Sequence, residues 1–362
     1  MSHYPSLRPN WPLVAPLLAI FLWGLAAVLG TPLWLLILCA LALGASVLAA
    51  VDHAETVAHR LGEPYGTIVL ALAVTVIEAA LIVSMMLGGG ASAATLARDS
   101  IYAAVMVICT GVMGAALWVG AYCHHEQDFR VEGVGTGLTA LMVLATLVLV
   151  LPSLTTTTGP GTYAHSQLLF VAVASLVIWL AFVFIQTMRH KDYFLHTAEV
   201  SADGRHPEPP SRTQAWFAFA LMMLSLVVVI GLAKLLSPSI EQALTVMQAP
   251  PAVLGIVIAI LVLLPEAIAA IRAARMNRLQ TSMNLAIGSA LASIGLTIPV
   301  VIGIALMLDL PLTLGLAPKA VVLLLLTFGI SLHTVTYGRS NIMQGIVHLV
   351  VFAAFLFFNW VP

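Results

Sequence analysis

The chain has 362 residues, 61% of them apolar and 8% charged, with a formal net charge of −1 and a mean hydropathy of +1.07. A soluble domain carries about a quarter of its residues as charges, so this composition excludes a cytosolic enzyme and a disordered scaffold. The near-zero net charge excludes a nucleic-acid binder. What remains is a multi-span protein whose surroundings are the lipid bilayer.

Apolar blocks long enough to cross about 30 Å of hydrocarbon as helices fall at 13–29, 32–51, 66–87, 99–121, 135–151, 166–187, 215–236, 252–271, 283–307, 319–336 and 342–360. The expected fold is therefore an all-α polytopic membrane protein of about eleven transmembrane helices. The first block reads as a retained helix rather than a cleaved leader, because a second span follows within three residues. A polar stretch over 188–214, with the prolines Pro207, Pro209 and Pro210, reads as a solvated cytoplasmic linker between two halves.

The cations fix an expected orientation. Arg8, Arg60, Arg130, Arg189, Lys191, Arg205, Arg212, Arg272, Arg275, Arg278 and Arg339 fall on one side of the spans, and Arg98, Lys234 and Lys319 on the other. The positive-inside rule then puts the N-terminus in the cytoplasm and the C-terminus outside. The three cysteines, Cys39, Cys109 and Cys123, are too scattered for a disulfide framework and read as packing residues.

Two carboxylates sit at membrane depth. Glu78 lies in the middle of the third span with no cation within one helical turn, where an acidic side chain costs about 2.5–3.5 kcal/mol to insert. Glu266 follows Pro265, which has no N–H and removes the helical partner of the carbonyl of residue 261. A helix broken there would offer carbonyl and carboxylate oxygens at one depth, as transporters do for cations. For Glu266 to reach the midplane the eighth span must extend inward past Arg272, with its arginines snorkelling. Gly66 precedes Glu78 by twelve residues and Gly255 precedes Glu266 by eleven; Ser100 follows Glu78 by 22 and Ser289 follows Glu266 by 23. Five spans separate the two glutamates, an odd number, so the two copies have opposite topology.

These residues carry a resemblance. The run His59-Arg-Leu-Gly-Glu-Pro-Tyr-Gly66, the Glu78 segment, Arg98-Asp-Ser-Ile-Tyr102, Leu264-Pro-Glu266 and Met283-Asn-Leu-Ala-Ile-Gly-Ser289 together resemble the calcium/cation–proton antiporter family of the bacterial ChaA type. The resemblance implies one leading helix (1–31), a first five-helix repeat (32–187), a cytoplasmic linker (188–214) and a second, inverted five-helix repeat (215–362). It also implies that Glu78 and Glu266 bind cation and proton in competition. Where many relatives carry Gly-Asn before each glutamate, this chain has Val74-Thr75 and Val262-Leu263; the loss of amide oxygens favours sodium or potassium over strict calcium selectivity.

Supporting ligands are expected among Thr75, Asp99, Ser100, Ser289 and Ser293. Thr75, three residues before Glu78, shares its helix face and either coordinates a cation or bonds back to a helix carbonyl. Asp99 reads first as a helix N-cap paired with Arg98. Ser100 and Ser289 read as openings of the fourth and ninth spans, with Ser293 one turn on. Glu63, before Pro64, reads as a cap at the cytoplasmic mouth. The run Cys123-His-His-Glu-Gln-Asp128 lacks the spacing of a closed zinc site, and His333 and His348 read as interhelical packing residues. A membrane-embedded enzyme is disfavoured because position 129 is Phe, which breaks the His-Glu-x-x-His pattern begun at His125-Glu126. A cation channel is disfavoured by paired titratable carboxylates in opposed copies. The expected function is proton-coupled export of Ca2+, Na+ or K+ across the bacterial inner membrane, with no cofactor and with inorganic cations and protons as the only partners besides lipid.

Overall fold

The computed structural model describes residues 11–62, 65–88, 93–194 and 210–361. Glu63, Pro64, Arg8, Arg205 and residues 195–209 of the expected linker lie outside the described residues. Among the described residues every regular element is helical, apart from a two-residue bridge between Asp128 and Arg339.

Among the described residues eleven helices are long and apolar enough to cross a membrane. They are α1 (Trp11–Leu29), α2 (Leu33–Leu61), α3 (Tyr65–Gly88), α4 (Leu96–His124), α5 (Val131–Ser153), α6 (His165–Arg189), α7 (Arg212–Val246), α8 (Ala252–Arg275), α9 (Leu279–Leu308), α10 (Pro318–Tyr337) and α11 (Ile342–Trp360). Several outrun their apolar blocks. Helix α2 continues ten residues past the expected end through Asp52, Glu55 and Arg60, because a helix that has left hydrocarbon keeps its backbone bonds while water takes the side chains. Helix α7 runs on through Pro238 to Val246, and α8 reaches Arg275, the inward extension that Glu266 requires. Helices α4 and α9 each begin a turn early, so Ser100 lies in the second turn of α4 and Ser289 eleven residues into α9 rather than at its opening.

By contacts the chain divides into two compact units that interleave in sequence: 1–77 with 208–241, and 78–207 with 242–362. In the first unit α1 and α2 form a hairpin. His53, buried on α2, places Nε2 3.1 Å from the Pro12 carbonyl at the start of α1. Gly231 of α7 packs on the Trp23 ring, where a Cβ would collide.

In the second unit α4 and α9 are the most enclosed helices, and each contains a π-helical stretch, Val107–Val112 and Ser293–Thr297. Helices α4 and α8 run parallel. Near their starts Gly255 abuts the Asp99–Ser100 backbone, where an added Cβ would sit 2.6 Å from the Asp99 carbonyl carbon. Near their ends Gly120 faces Ala274, and Gln127 Nε2 donates to the Ala274 carbonyl at 2.8 Å. A connection of seven residues joins α3 to α4, too short to return across 30 Å of hydrocarbon. Helix α3 therefore runs against α4, and hence against α8.

Loops brace the second unit at both faces. On one face the 309–317 segment after α9 meets the α5–α6 loop: Leu314 and Gly315 N–H both donate to the Gly161 carbonyl, Ser153 Oγ donates to Leu316, and Thr313 N–H donates to Ala94. Tyr163 closes that loop by donating to the Leu147 carbonyl at 2.7 Å, and burial pushes its phenol up to about 12, so it stays a donor. On the other face the α4–α5 loop meets the α10–α11 turn: Ser340 N–H donates to the Gln127 carbonyl, Phe129 N–H to Gly338, and Gln127 Nε2 to Asn277 Oδ1 after α8. Exchanging the halves of the sequence turns one set of loop partners into the other.

The crossing at Gly255 sets the register of α4 on α8, so Gly255→Leu should force the pair apart. Overpacking of this kind costs about 1–3 kcal/mol; the expected outcome is a lower thermal midpoint in detergent and poorer accumulation. Gly288→Ala, where the added Cβ meets nothing within 4 Å, should leave both unchanged.

Candidate cation site

Glu78 is 3% exposed, midway along α3. Thr297 Oγ1 donates to its Oε2 at 3.0 Å, and the Ser293 hydroxyl bonds the same carboxylate. Both donors lie on the π stretch of α9. Helical threonines ordinarily bond back to the carbonyl four residues earlier, as Thr136, Thr139, Thr146, Thr187 and Thr336 do here. Thr297 instead turns its hydroxyl outward from its own helix to Glu78. Among the described residues no Lys, Arg or His pairs with Glu78, so its charge, when present, must be offset by something other than a protein cation.

Thr75, one turn before Glu78, is buried, and its Oγ1 has no hydrogen-bond partner. Of its two expected roles, the back-bond to a helix carbonyl is not made. A hydroxyl at this depth without a partner costs about 1–3 kcal/mol, a cost that a coordinated ion would relieve.

Glu266 sits on an uninterrupted helix. The expected break at Pro265 does not occur: α8 is continuous from Ala252 to Arg275 with the proline inside it. Proline removes one N–H, and the flanking turns carry the helix past it. The parallel packing of α8 on α4 gives Glu266 its depth. Eleven residues beyond the Gly255–Asp99 crossing, it lies level with Thr110 and Gly111, in the π stretch of α4. Helix α9, just ahead of its own π stretch, packs on that same stretch of α4.

The remaining candidates are spread out. Asp99 is not the N-cap of α4. Thr95 holds that position, and the Asp99 carboxylate accepts from Thr95 Oγ1 at 3.0 Å and from Arg98 Nε at 2.8 Å. Arg98 also donates to the Gly315 carbonyl at 3.2 Å, so the expected pair forms a latch to the α9–α10 loop. Ser100 is buried with its Oγ unpartnered, but it is level with Gly255, about 17 Å along α8 from Glu266. Ser289 is half-buried, one turn before Ser293. Of the expected ligands, Ser293 bonds the Glu78 carboxylate, and Thr297 joins it unexpectedly. The spacing Ser289-x3-Ser293-x3-Thr297, one hydroxyl per turn, is the signal that could have found it.

Among the described residues no group of three or more His, Cys, Asp or Glu side chains could hold a metal ion. In the Cys123–Asp128 run His124 Nε2 lies 2.8 Å from the Arg275 carbonyl, and Asp128 pairs with Arg339 at 3.4 Å. His348 is a buried interhelical residue as expected, whereas His333 is exposed, edge-on to Tyr337.

Comparison with known proteins identifies the family. The profile described as "Sodium/calcium exchanger protein" matches residues 31–188 and 217–361. The protein y4hA of Sinorhizobium fredii, a candidate ionic transporter, is 44% identical over 91% of this chain and 89% of its own. The sodium-potassium/proton antiporter ChaA of Escherichia coli is 37% identical over 95% of this chain and 93% of its own. The structure of native YfkE, 16% identical, superposes with a TM-score of 0.73 over 97% of this chain and all of that one, which establishes the same fold. The chain is a multi-pass membrane protein of the sodium/calcium exchanger family.

Proposed function

We propose that this protein exchanges a cation for protons across the bacterial inner membrane by alternating access, with Glu78 and Glu266 binding either species. The observation that carries the reading is the setting of Glu78: a buried carboxylate at membrane depth, facing two hydroxyls and, among the described residues, no protein cation. Such a site needs a proton or a metal cation to stay in hydrocarbon, and the two compete for the same oxygens. Neutral hydroxyl ligands suit a hard cation. The likeness to a sodium-potassium/proton antiporter favours Na+ and K+ ahead of Ca2+ as the transported species.

Two repeats, 32–187 and 215–362, with the linker between them and a leading helix over 1–31, are part of this reading. The opposite senses of α3 and α8, the π stretch in both α4 and α9, and loop partners that interchange with the halves all support it. The first unit holds α2 and most of α7, the first helix of each proposed repeat, together with α1 and the first half of α3. The N-terminus is proposed to be cytoplasmic and the C-terminus external.

Reconstituted vesicles carrying a pH-sensitive dye test the exchange. Glu78→Gln and Glu266→Gln should each abolish cation-driven proton movement while leaving insertion and thermal stability intact; normal exchange by either variant at wild-type affinity would sink the two-glutamate site. Thr297→Val should weaken apparent cation affinity by about tenfold, the cost of one lost polar contact to a charged group, with Glu78 still able to accept a proton.

The sign of the pH dependence follows from competition. As pH falls, protons occupy the carboxylates, so the apparent cation affinity should fall by up to about tenfold per pH unit for each proton displaced. Affinity unchanged from about pH 6 to 9 would mean that protons do not compete at this site.

Orientation has its own reporter. Cys123 is the exposed cysteine, whereas Cys39 and Cys109 are buried. A membrane-impermeant maleimide should label Cys123 in inside-out vesicles and spare it in intact spheroplasts; the reverse would invert the proposed topology.

A further inference from the structure

The π stretch of α4 is gripped from α11. His348 of α11 is fully buried, and its Nδ1 lies 2.7 Å from the carbonyl oxygen of Cys109, inside the stretch Val107–Val112. A carbonyl can only accept, so Nδ1 carries the hydrogen. In the neutral ring Nε2 is then an acceptor, and Thr334 Oγ1 of α10, 3.1 Å away, donates to it. Both ring nitrogens are committed, and one side chain ties three helices together. Helix α4 is shaped to receive it: a Cβ on Gly114 would sit 2.9 Å from the His348 Cβ, and one on Gly111 would press on the Phe352 ring at 3.3 Å.

A π turn carries an extra residue and survives only where its surroundings hold it open. If this one relaxed to α-helix, the part of α4 before it would rotate by about 100° against the part after it. The early part carries Asp99 and Ser100 against Gly255, and the late part carries Gly120 against Ala274. Glu266 lies between these two contacts, level with the π stretch itself. Thr110, next to Cys109, spends its hydroxyl on the Met106 carbonyl, within its own helix. The opposite half needs no such clamp, because there Ser293 and Thr297 of the π stretch bond Glu78 directly.

We propose that His348 is a positioning residue for ion exchange: through the Cys109 carbonyl it holds open the π turn of α4 that faces Glu266, and so sets the cation affinity of that half of the site. This rests on the exchange reading above, and the test separates the two. Cys109 serves as the reporter in a Cys39→Ser, Cys123→Ser background. In H348N the amide nitrogen takes the place of Nδ1 and still donates to Cys109; in H348A that donor is gone. Labelling of Cys109 by a small permeant thiol reagent should quicken at least about tenfold in H348A, in proportion to a lost buried hydrogen bond, and stay at the parent rate in H348N. In vesicles the KM for sodium or potassium should rise about tenfold in H348A with little change in maximal rate, and return towards the parent value in H348N.

Parent-like labelling and KM in H348A, or H348N as impaired as H348A, would overturn the proposal. Should H348A fail to accumulate, T334V frees the ring from its second partner, and unchanged labelling and KM there would overturn it equally. A parent protein that folds but exchanges no cation would overturn the exchange reading alone; the labelling contrast between H348A and H348N would still decide whether His348 holds the turn.

Discussion

A carboxylate in the middle of a membrane span is the costliest group this chain inserts, and much of the second unit is arranged around bearing that cost. Hydrocarbon offers Glu78 nothing, and among the described residues the protein supplies hydroxyls rather than a lysine or arginine. A fixed protein cation would stabilise the carboxylate permanently and leave no reason for an ion to bind. Hydroxyls stabilise it in part, which leaves the rest of the cost to be met by something that can come and go.

Delivering hydroxyls to a partner on another helix works against helix geometry. A helical threonine finds its own backbone first, as Thr56, Thr136, Thr139 and Thr336 do in α-helix and Thr110, Thr146 and Thr187 do even within π stretches. The π stretch of α9 is where that habit is broken. The same local device recurs on α4 with a different outcome: the threonine stays on its own backbone, and a histidine from α11 engages the carbonyl beside it. Two halves of similar architecture thus use the π turn differently, a side-chain hydroxyl bonded to Glu78 at one and a backbone carbonyl bonded by His348 at the other.

The eleven helices were legible because hydropathy reports directly on what meets lipid, and each apolar block became one helix. Their ends were less so. Nothing in the residues from Asp52 to Arg60 says whether a helix stops at the membrane surface or continues beyond it. Glu78 stood out from its burial cost alone, and Ser293 from lying one turn after Ser289. Thr297 escaped notice because a lone membrane threonine gives no sign of which oxygen it will bond, and the π turns that decide the matter have no residue signature. Pro265 misled for a simpler reason: the loss of one N–H weakens a helix locally, while its neighbours on α4 and α9 hold it straight. The Arg98–Asp99 pair was read correctly, but its hold on the Gly315 carbonyl, 217 residues away, lies beyond any local pattern.

The 219 residues between Glu78 and Thr297 also have a meaning in time. A ribosome adding about 5–20 residues per second needs roughly 10–45 s to travel that far. Through that interval α3 has left the translocation machinery, or is waiting beside it, while the helix that will satisfy its carboxylate has not been made. His348 emerges later still, so the α4 turn is among the last parts of the unit to be secured. A nascent chain can bridge that gap by keeping Glu78 protonated, or by lingering in a watery insertion channel until α9 arrives. Biogenesis of this protein is therefore a problem of sequence order as well as of hydrophobicity, and its newborn first half is a natural client for a membrane insertase or chaperone that shelters unfinished polar helices.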